Sequence, residues 1–104
     1  MIAKVVSNQA VGDGIYRMKL DCKRAVKAKP GQFINVLVSE TYQPLLRRPF
    51  SIFDCRGKIL EIVYKVLGEG TKELAKKQPG DALDILGPLG GSYLDFSSAF
   101  RPLS

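Results

Sequence analysis

Short runs of β-branched and aromatic residues, separated by glycine, proline and aspartate, restrict the fold of this chain more than any other feature. Residues 15–20 alternate strictly between apolar and polar side chains, as a strand with one buried face requires. They follow residues 2–11 across a Gly-Asp-Gly turn at 12–14, so the two segments are predicted to pair as a hairpin. Similar runs recur through most of the sequence, which predicts an all-β fold.

The same signals predict four further strands and one helix. Good helix formers at residues 71–77 follow a Gly-Glu-Gly loop, and lysines occupy the last turn, which indicates a short helix at 71–77. Residues 87–91 are predicted to be a turn-rich exit from the last strand. Six strands and one helix suit a small closed barrel, since closure removes exposed strand edges. The four further strands are predicted at residues 32–38, 49–53, 58–67 and 82–86.

Length and residue usage exclude several classes of protein. At 104 residues the chain is predicted to form one domain, and its short apolar runs leave no room for a membrane span or a secretory signal. A cytoplasmic location is therefore expected. Cys22 and Cys55 are 33 residues apart and have no CxxC partner, so this chain alone is predicted to hold neither a metal cage nor an iron–sulfur cluster. The sequence has no histidine, which disfavours hydrolytic triads and zinc chemistry.

A net charge of +6 favours a polyanionic partner, although surface lysines also serve solubility. One interpretation is a non-enzymatic basic barrel that binds single-stranded nucleic acid through cations and stacking aromatic rings. Few aromatic residues are interleaved with the basic ones, with Tyr16 and Tyr64 among the exceptions. The sequence therefore disfavours nucleic acid but leaves this alternative open.

Two arginines precede an otherwise apolar strand in Arg47-Arg48-Pro49-Phe50-Ser51. Proline restricts the residue before it to extended backbone, so the period of two places Arg48 and Phe50 on one face of the strand. A guanidinium group beside an aromatic ring suits a phosphorylated aromatic ligand, with the Ser51 hydroxyl at the edge of the ligand's ring system. A surface arginine pair beside a core strand fits the same residues, so both interpretations stay open.

A second candidate site is the loop Gly68-Glu69-Gly70-Thr71 before the predicted helix. Free backbone N–H groups at a helix start favour an anion, and Thr71 can cap the helix. The loop has neither the Walker A sequence nor a full GxGxxG, so an ordinary capped helix start is the simpler interpretation. Tyr64, in the preceding strand, either stacks on a ligand or is a half-buried strand tyrosine.

Taken together in their order and spacing, these segments resemble the flavin domain of the ferredoxin-NADP reductase superfamily. Within it, LLRRPFSI, GEGTKEL and GDALDILGPLG are most similar to the electron-transfer subunits of class 1B dihydroorotate dehydrogenases. The resemblance covers residues 1–95, which are therefore predicted to be an FAD-binding domain. Residues 96–104 are predicted to be a tail leading toward an NAD-binding domain that is absent here.

The resemblance implies a six-stranded antiparallel Greek-key barrel that holds FAD along its surface. It implies that Arg48 neutralises the pyrophosphate, that Pro49 and Phe50 pack along the flavin, and that Ser51 lies near the redox-active edge. Many superfamily members have tyrosine in place of Phe50, so a hydrogen bond from that hydroxyl is not expected here. No catalytic side chain is implied. The remaining implied cofactor-binding residues line the isoalloxazine and ribityl chain or meet the phosphates: Val63, Tyr64, Lys65, Gly70 and Thr71.

The resemblance further implies electron transfer between NADH and the catalytic subunit that oxidises dihydroorotate in pyrimidine biosynthesis. The flavin subunit of a sulfide dehydrogenase or of a ferredoxin-NADP oxidoreductase is the alternative. NAD and a [2Fe–2S] cluster belong to segments of the full-length family that are not in this sequence, so this chain alone is expected to lack complete NADH oxidation. The face left uncovered could support a homodimer. The sequence does not distinguish FAD from FMN.

Overall fold

The computed structural model describes residues 1–23, 26–29, 31–39 and 46–90. In these residues the strands close into one antiparallel barrel, in the order β1-β2-β5-β4-β3-β6. The predicted all-β barrel with six strands and one helix is confirmed, whereas the predicted tail at 96–104 lies outside the described residues. The elements are β1 (Ile2–Gly12), β2 (Ile15–Asp21), β3 (Phe33–Ser39), β4 (Leu46–Arg56), β5 (Ile59–Lys65), α1 (Glu69–Ala75) and β6 (Ala82–Leu89).

β1 and β2 form the predicted hairpin, and Asp13 and Gly14 make its two-residue turn. Gly14 has a φ of 70°, a left-handed conformation that glycine adopts without steric cost. A register shift in β1 between Val5 and Ser7 is a bulge-like irregularity of the kind that bends a strand. The first residues of β1, 2–4, pair with β6 on the other edge, which closes the barrel.

Inward-facing residues of all six strands fill the barrel, as the predicted alternation requires. In β2, Met18 and Leu20 are fully buried while Arg17 and Lys19 point outward. Each fully buried aliphatic side chain of this kind contributes about 1.5–3 kcal/mol to folding relative to its exposure to water. The described residues with no exposed surface at all are Ala3, Met18, Leu20, Ile34, Val36, Leu60, Ile62, Leu74 and Ile85.

The helix begins earlier than its sequence pattern predicts. α1 starts at Glu69 rather than at residue 71 and ends at Ala75, so Gly70 lies in its first turn. The Thr71 hydroxyl explains the early start, because its oxygen accepts the backbone N–H groups of Leu67 and Gly68 at 2.8 and 3.1 Å. These bonds close the turn at the glycine loop.

β4 and β6 differ most from their predicted extents, while β3 and β5 differ by one or two residues at their ends. β4 is eleven residues long and begins at Leu46, because the residues before Pro49 already pair with β3. β6 continues through Gly87 to Leu89, where it still pairs with Phe33 of β3. The predicted turn-rich exit at 87–91 was therefore wrong for residues 87–89, and residue 91 lies outside the described part of the chain. Ladder pairing persisted past the glycine and proline that suggested a turn.

The two cysteines differ in their exposure to solvent. Both thiols are free, but Cys22 is 1% exposed whereas Cys55 is partly exposed. Burial raises the pKa of Cys22 to about 11. Because the thiolate is the reactive form, we expect a thiol reagent at about pH 8 to modify Cys22 more than about tenfold more slowly than Cys55.

The rates can be attributed with single substitutions. Cys55→Ser should remove the fast phase of the reaction with the reagent and Cys22→Ser the slow one, with total thiols counted after denaturation as the control. Equal rates in the native protein would contradict the burial of Cys22.

Within the described part of the chain, no helix has the length and apolar character that membrane crossing requires. The same residues contain no group of three or more histidine, cysteine or carboxylate side chains placed to hold a metal ion. The location of the protein in the cell stays a prediction.

Candidate functional site

β4 and β5 are paired along only part of their length. Among the described residues, the ladder between them ends at the pair Ile52–Ile62. Beyond it, residues 48–51 remain paired with β3 and residues 63–65 with β2, each on the strand's other edge. The two strands therefore separate, and their facing edges present main-chain N–H and C=O groups to the gap. Such edges are ready to form hydrogen bonds with a ligand.

The gap widens into a groove of about 490 Å³, a volume typical of small-molecule sites. The start of α1 forms its third side. All nine residues that the family resemblance implied as cofactor-binding line this groove, although they come from three separate segments of the chain. Their role in holding a cofactor stays a prediction. The groove is also lined by Leu67, Gly68 and Glu69.

The two adjacent arginines point to different surroundings. Arg47 lies outside the groove, and its guanidinium is 3.2 Å from the carboxylate of Asp84 on β6. Arg48 is exposed and lines the groove. Arg48 is two residues before the buried Phe50 and therefore lies on the same face of β4. Because β5 has already separated from β4 at this point, the Arg48 side chain lies in the groove and not in the core. Because side chains alternate between the two faces of a strand, Arg47 is ion-paired on one face and Arg48 lines the groove on the other.

Three polar side chains of the groove are free to bind a ligand. Arg48, Ser51 and Lys65 are exposed and have no hydrogen bond or ion pair to another described residue. Two cations and a hydroxyl on the facing edges of β4 and β5 suit an anionic, polar ligand. Within the described part of the chain, these side chains have no partner to give up when a ligand binds.

The aromatic residues of the site belong mainly to the barrel interior. Phe50 and Tyr64 are 8% and 5% exposed, and their rings meet edge to face with centroids 5.8 Å apart. Tyr64 also stacks on Tyr16 at 5.7 Å. The interpretation that Tyr64 stacks on a ligand therefore loses support, because little of its ring is accessible from the groove. Burial raises the pKa of Tyr64 to about 12.

The start of α1 combines features of both sequence interpretations. The Thr71 hydroxyl is committed to the backbone of Gly68, which it meets as both acceptor and donor at 3.1 Å. This is the ordinary helix start. The N–H groups of Glu69 and Gly70 nevertheless belong to the first turn, where no intrahelical acceptor is available. The Glu69 carboxylate is 3.7 Å from the ammonium of Lys72, which offsets part of its charge beside the groove.

Sequence reasoning missed one residue of structural importance to the site. Asn8, in β1, does not line the groove, but its side chain joins two of the groove's walls. The Tyr64 hydroxyl donates to Asn8 Oδ1 at 2.8 Å, and Asn8 Nδ2 donates to the carbonyls of Leu74 and Lys77, both at 3.0 Å. No sequence signal identifies it, since a lone asparagine in a strand matches no motif.

A second groove of about 340 Å³ lies on the outer face of β2, β5 and β4. Its charges are largely paired within the chain. Arg17 is bonded to the carboxylate of Glu61, which is 4% exposed, and Arg56 is 3.3 Å from Asp54. None of the residues implied as cofactor-binding lines this groove.

The strand order, the single described helix and the opening between two strands define the class of fold, the ferredoxin reductase-like FAD-binding domain. The NADH-dependent reduced ferredoxin-NADP oxidoreductase, a structure concerned with flavin-based electron bifurcation, matches with a TM-score of 0.74 and 27% identity. That match covers 86% of this chain and 33% of the other. A ferredoxin NADP+ reductase from Neisseria gonorrhoeae with bound FAD and NADP shares the fold, with a TM-score of 0.65, 18% identity, and coverage of 84% and 38%.

No family model matches the sequence, but curated relatives do. The electron transfer subunit of dihydroorotate dehydrogenase B (NAD(+)) from Bacillus pumilus is 45% identical over 93 residues. The same subunit from Bacillus velezensis is 41% identical over 92 residues. Each match covers 86% of this chain and 36% of the relative. The chain is therefore homologous to the electron transfer subunits of dihydroorotate dehydrogenase B, and it spans little more than a third of their length.

Proposed function

We propose that this domain binds FAD in the groove between β4, β5 and α1, as the flavin-holding part of an electron transfer subunit. The observation that supports this most is that nine residues implied by the family resemblance, from three segments, line one groove. The proposal is consistent with the bound FAD in the ferredoxin NADP+ reductase that shares the fold. It also agrees with the electron transfer role named for the relatives.

The free groups of the groove fit the parts of a flavin dinucleotide. The guanidinium of Arg48 can bind pyrophosphate oxygens as a bidentate fork, and the ammonium of Lys65 adds a second positive charge. Exposed Pro49 offers an apolar surface, while the separated edges of β4 and β5 offer main-chain partners for the polar rim of the flavin ring. Two free cations match the two negative charges of a pyrophosphate.

When bound, FAD would supply the redox chemistry, because it accepts electrons in pairs and can release them singly. The chain's residues bind and orient it. Ser51 can hydrogen-bond one edge of the flavin, while Arg48 neutralises the phosphates. Tyr64 keeps its proton at neutral pH, since its pKa is about 12 and its hydroxyl is bonded to Asn8. It therefore serves as a wall of the site and not as an acid or base.

The electron partner we propose is the catalytic subunit of a class 1B dihydroorotate dehydrogenase, with NADH and an iron–sulfur centre bound by the part of the relatives that this chain does not span. The name of the relatives at 36–45% identity supports this partner. A ferredoxin is the second candidate, because a ferredoxin-NADP oxidoreductase matches at 27% identity. The higher identity favours the first. Co-elution of the FAD-loaded chain with either purified partner would separate the two.

The proposed cofactor is tested by mixing the purified chain with excess FAD, FMN or riboflavin, desalting, and recording the visible spectrum. We expect the chain to retain FAD and to bind riboflavin, which has no phosphate for the two cations, more weakly. Retention of FMN in place of FAD would identify FMN as the cofactor. The filtrate of heat-denatured protein identifies the retained flavin. A folded chain, verified by circular dichroism, that retains no flavin would contradict the proposal. Salt-dependent binding of a single-stranded oligonucleotide would then support the basic-barrel alternative instead.

A further inference from the structure

Asn8 is the residue outside the groove with the most consequential contacts. Its side chain makes hydrogen bonds to β5 and to the end of α1, two elements that form different walls of the site. The chemistry fixes its orientation, since carbonyl oxygens can only accept and must therefore face the amide nitrogen. The oxygen is left to accept from the Tyr64 hydroxyl. One amide thus satisfies a buried hydroxyl and two main-chain carbonyls.

The two ends of α1 are held in different ways. The fully buried side chain of Leu74 fixes the helix to the barrel core. Asn8 binds the carbonyl of Leu74 near the C-terminal end of α1 and the carbonyl of Lys77 two residues beyond it. The N-terminal end, at Gly70 and Thr71, lines the groove. Loss of the Asn8 bonds is expected to let α1 rotate about Leu74 and to move its first turn relative to β5.

We infer that Asn8 is a positioning residue that fixes the helix wall of the groove against the β5 wall and so determines affinity for the phosphate-bearing part of the flavin. This inference rests on the proposed function. The two halves of the Asn8 side chain act on different walls: the oxygen holds Tyr64 in the β5 wall, and the nitrogen holds α1. The first turn of α1 lines the groove with N–H groups that have no intrahelical acceptor, and such groups can bind phosphate oxygens beside Arg48. Removing one half of the side chain or both is therefore expected to change the affinities for FAD and riboflavin to different extents.

Asn8→Asp is the informative substitution, because it preserves the shape of the side chain and the acceptor for Tyr64 but replaces the donor to the helix carbonyls with a second oxygen. Negative charge at a helix C-terminus is also unfavourable. We expect the dissociation constant for FAD to rise about 5- to 10-fold, the effect of one hydrogen bond, while that for riboflavin, which has no phosphate, stays within about twofold. Asn8→Ala removes both halves and should weaken both ligands.

Gln9→Glu is the matched control. Gln9 is exposed and adjacent in β1, so this variant adds the same negative charge without touching Tyr64 or α1. Its affinities for FAD and riboflavin should equal those of the unaltered chain. Binding is followed by quenching of flavin fluorescence, and thermal unfolding verifies that each variant is folded; if Asn8→Ala does not fold, Asn8→Asp alone decides.

Two results would overturn the inference: no change in Asn8→Asp, or equal losses of FAD and riboflavin. Either would mean that Asn8 supports the fold in general and not the phosphate end. Failure of the unaltered chain to bind any flavin would instead overturn the proposed function, and this inference with it. Unaltered binding of FAD together with an unaffected Asn8→Asp variant would overturn this inference alone.

Discussion

Arg48→Ala is expected to weaken FAD binding about 10- to 150-fold, which corresponds to the 1.5–3 kcal/mol typical of hydrogen bonds to charged groups. Arg48 is exposed in the groove and has no partner among the described residues, so its removal leaves none of their side chains unpaired. The expected loss is therefore a loss of ligand contacts and not of folding stability. Titration with FAD, followed by flavin fluorescence, gives the ratio of dissociation constants.

The chain contains its own control for this experiment. Arg47→Ala removes the same charge from the neighbouring position, but Arg47 lies outside the groove and is paired with Asp84. Its ion pair is about one-third exposed and contributes of the order of 0–1 kcal/mol to stability. We expect its FAD affinity to stay within about threefold. Equal losses in both variants would mean that net positive charge, and not the position of Arg48, attracts the cofactor.

Arg48→Lys separates charge from geometry. Lysine retains the positive charge but presents a point donor instead of a planar fork, so it cannot bind two phosphate oxygens in parallel. An affinity between those of the unaltered chain and Arg48→Ala is expected. An affinity equal to that of Arg48→Ala would show that the bidentate contact accounts for the whole effect.

The contrast between these two arginines shows what local sequence determines. Alternation along a strand and the restriction imposed by Pro49 are properties of neighbouring residues, so the opposite directions of Arg47 and Arg48 follow from the sequence. The hairpin around Asp13 and Gly14 was predictable for the same reason, since its turn chemistry lies within a few residues. The predicted barrel followed from counting such strands.

Features that depend on register between distant strands could not be predicted in this way. The groove exists because the β4–β5 ladder ends at Ile52 and Ile62, and no property of either segment alone specifies where pairing stops. The interior placement of Tyr64 likewise depends on packing against Tyr16 and Phe50. The nine residues could be named from the family resemblance. Only the structure shows which of their side chains are already hydrogen-bonded or buried within the chain and which are available to a ligand.

Leu74→Ala is expected to lower the free energy of unfolding by about 2–5 kcal/mol, the range for truncating a fully buried leucine. The effect should be large because Leu74 is one of only two buried residues of α1, and the other, Gly70, has no side chain to pack. Urea unfolding followed by circular dichroism gives the change. FAD affinity should fall as well, since the helix wall of the groove loses its attachment to the core.

Leu67→Ala provides the comparison, because Leu67 lies two residues before α1 and is 78% exposed. Its effect on unfolding should stay within about 0.5 kcal/mol, as for most surface substitutions. If Leu74→Ala costs no more than this, α1 is not anchored through its buried leucine. The helix signal in circular dichroism and the tyrosine signal of the barrel can be compared in the Leu74→Ala variant. If the helix signal has the lower urea midpoint, α1 unfolds before the barrel. Coincident midpoints would mean that the helix wall and the barrel that carries the other two walls form one cooperative unit, so that the complete groove is present whenever the domain is folded.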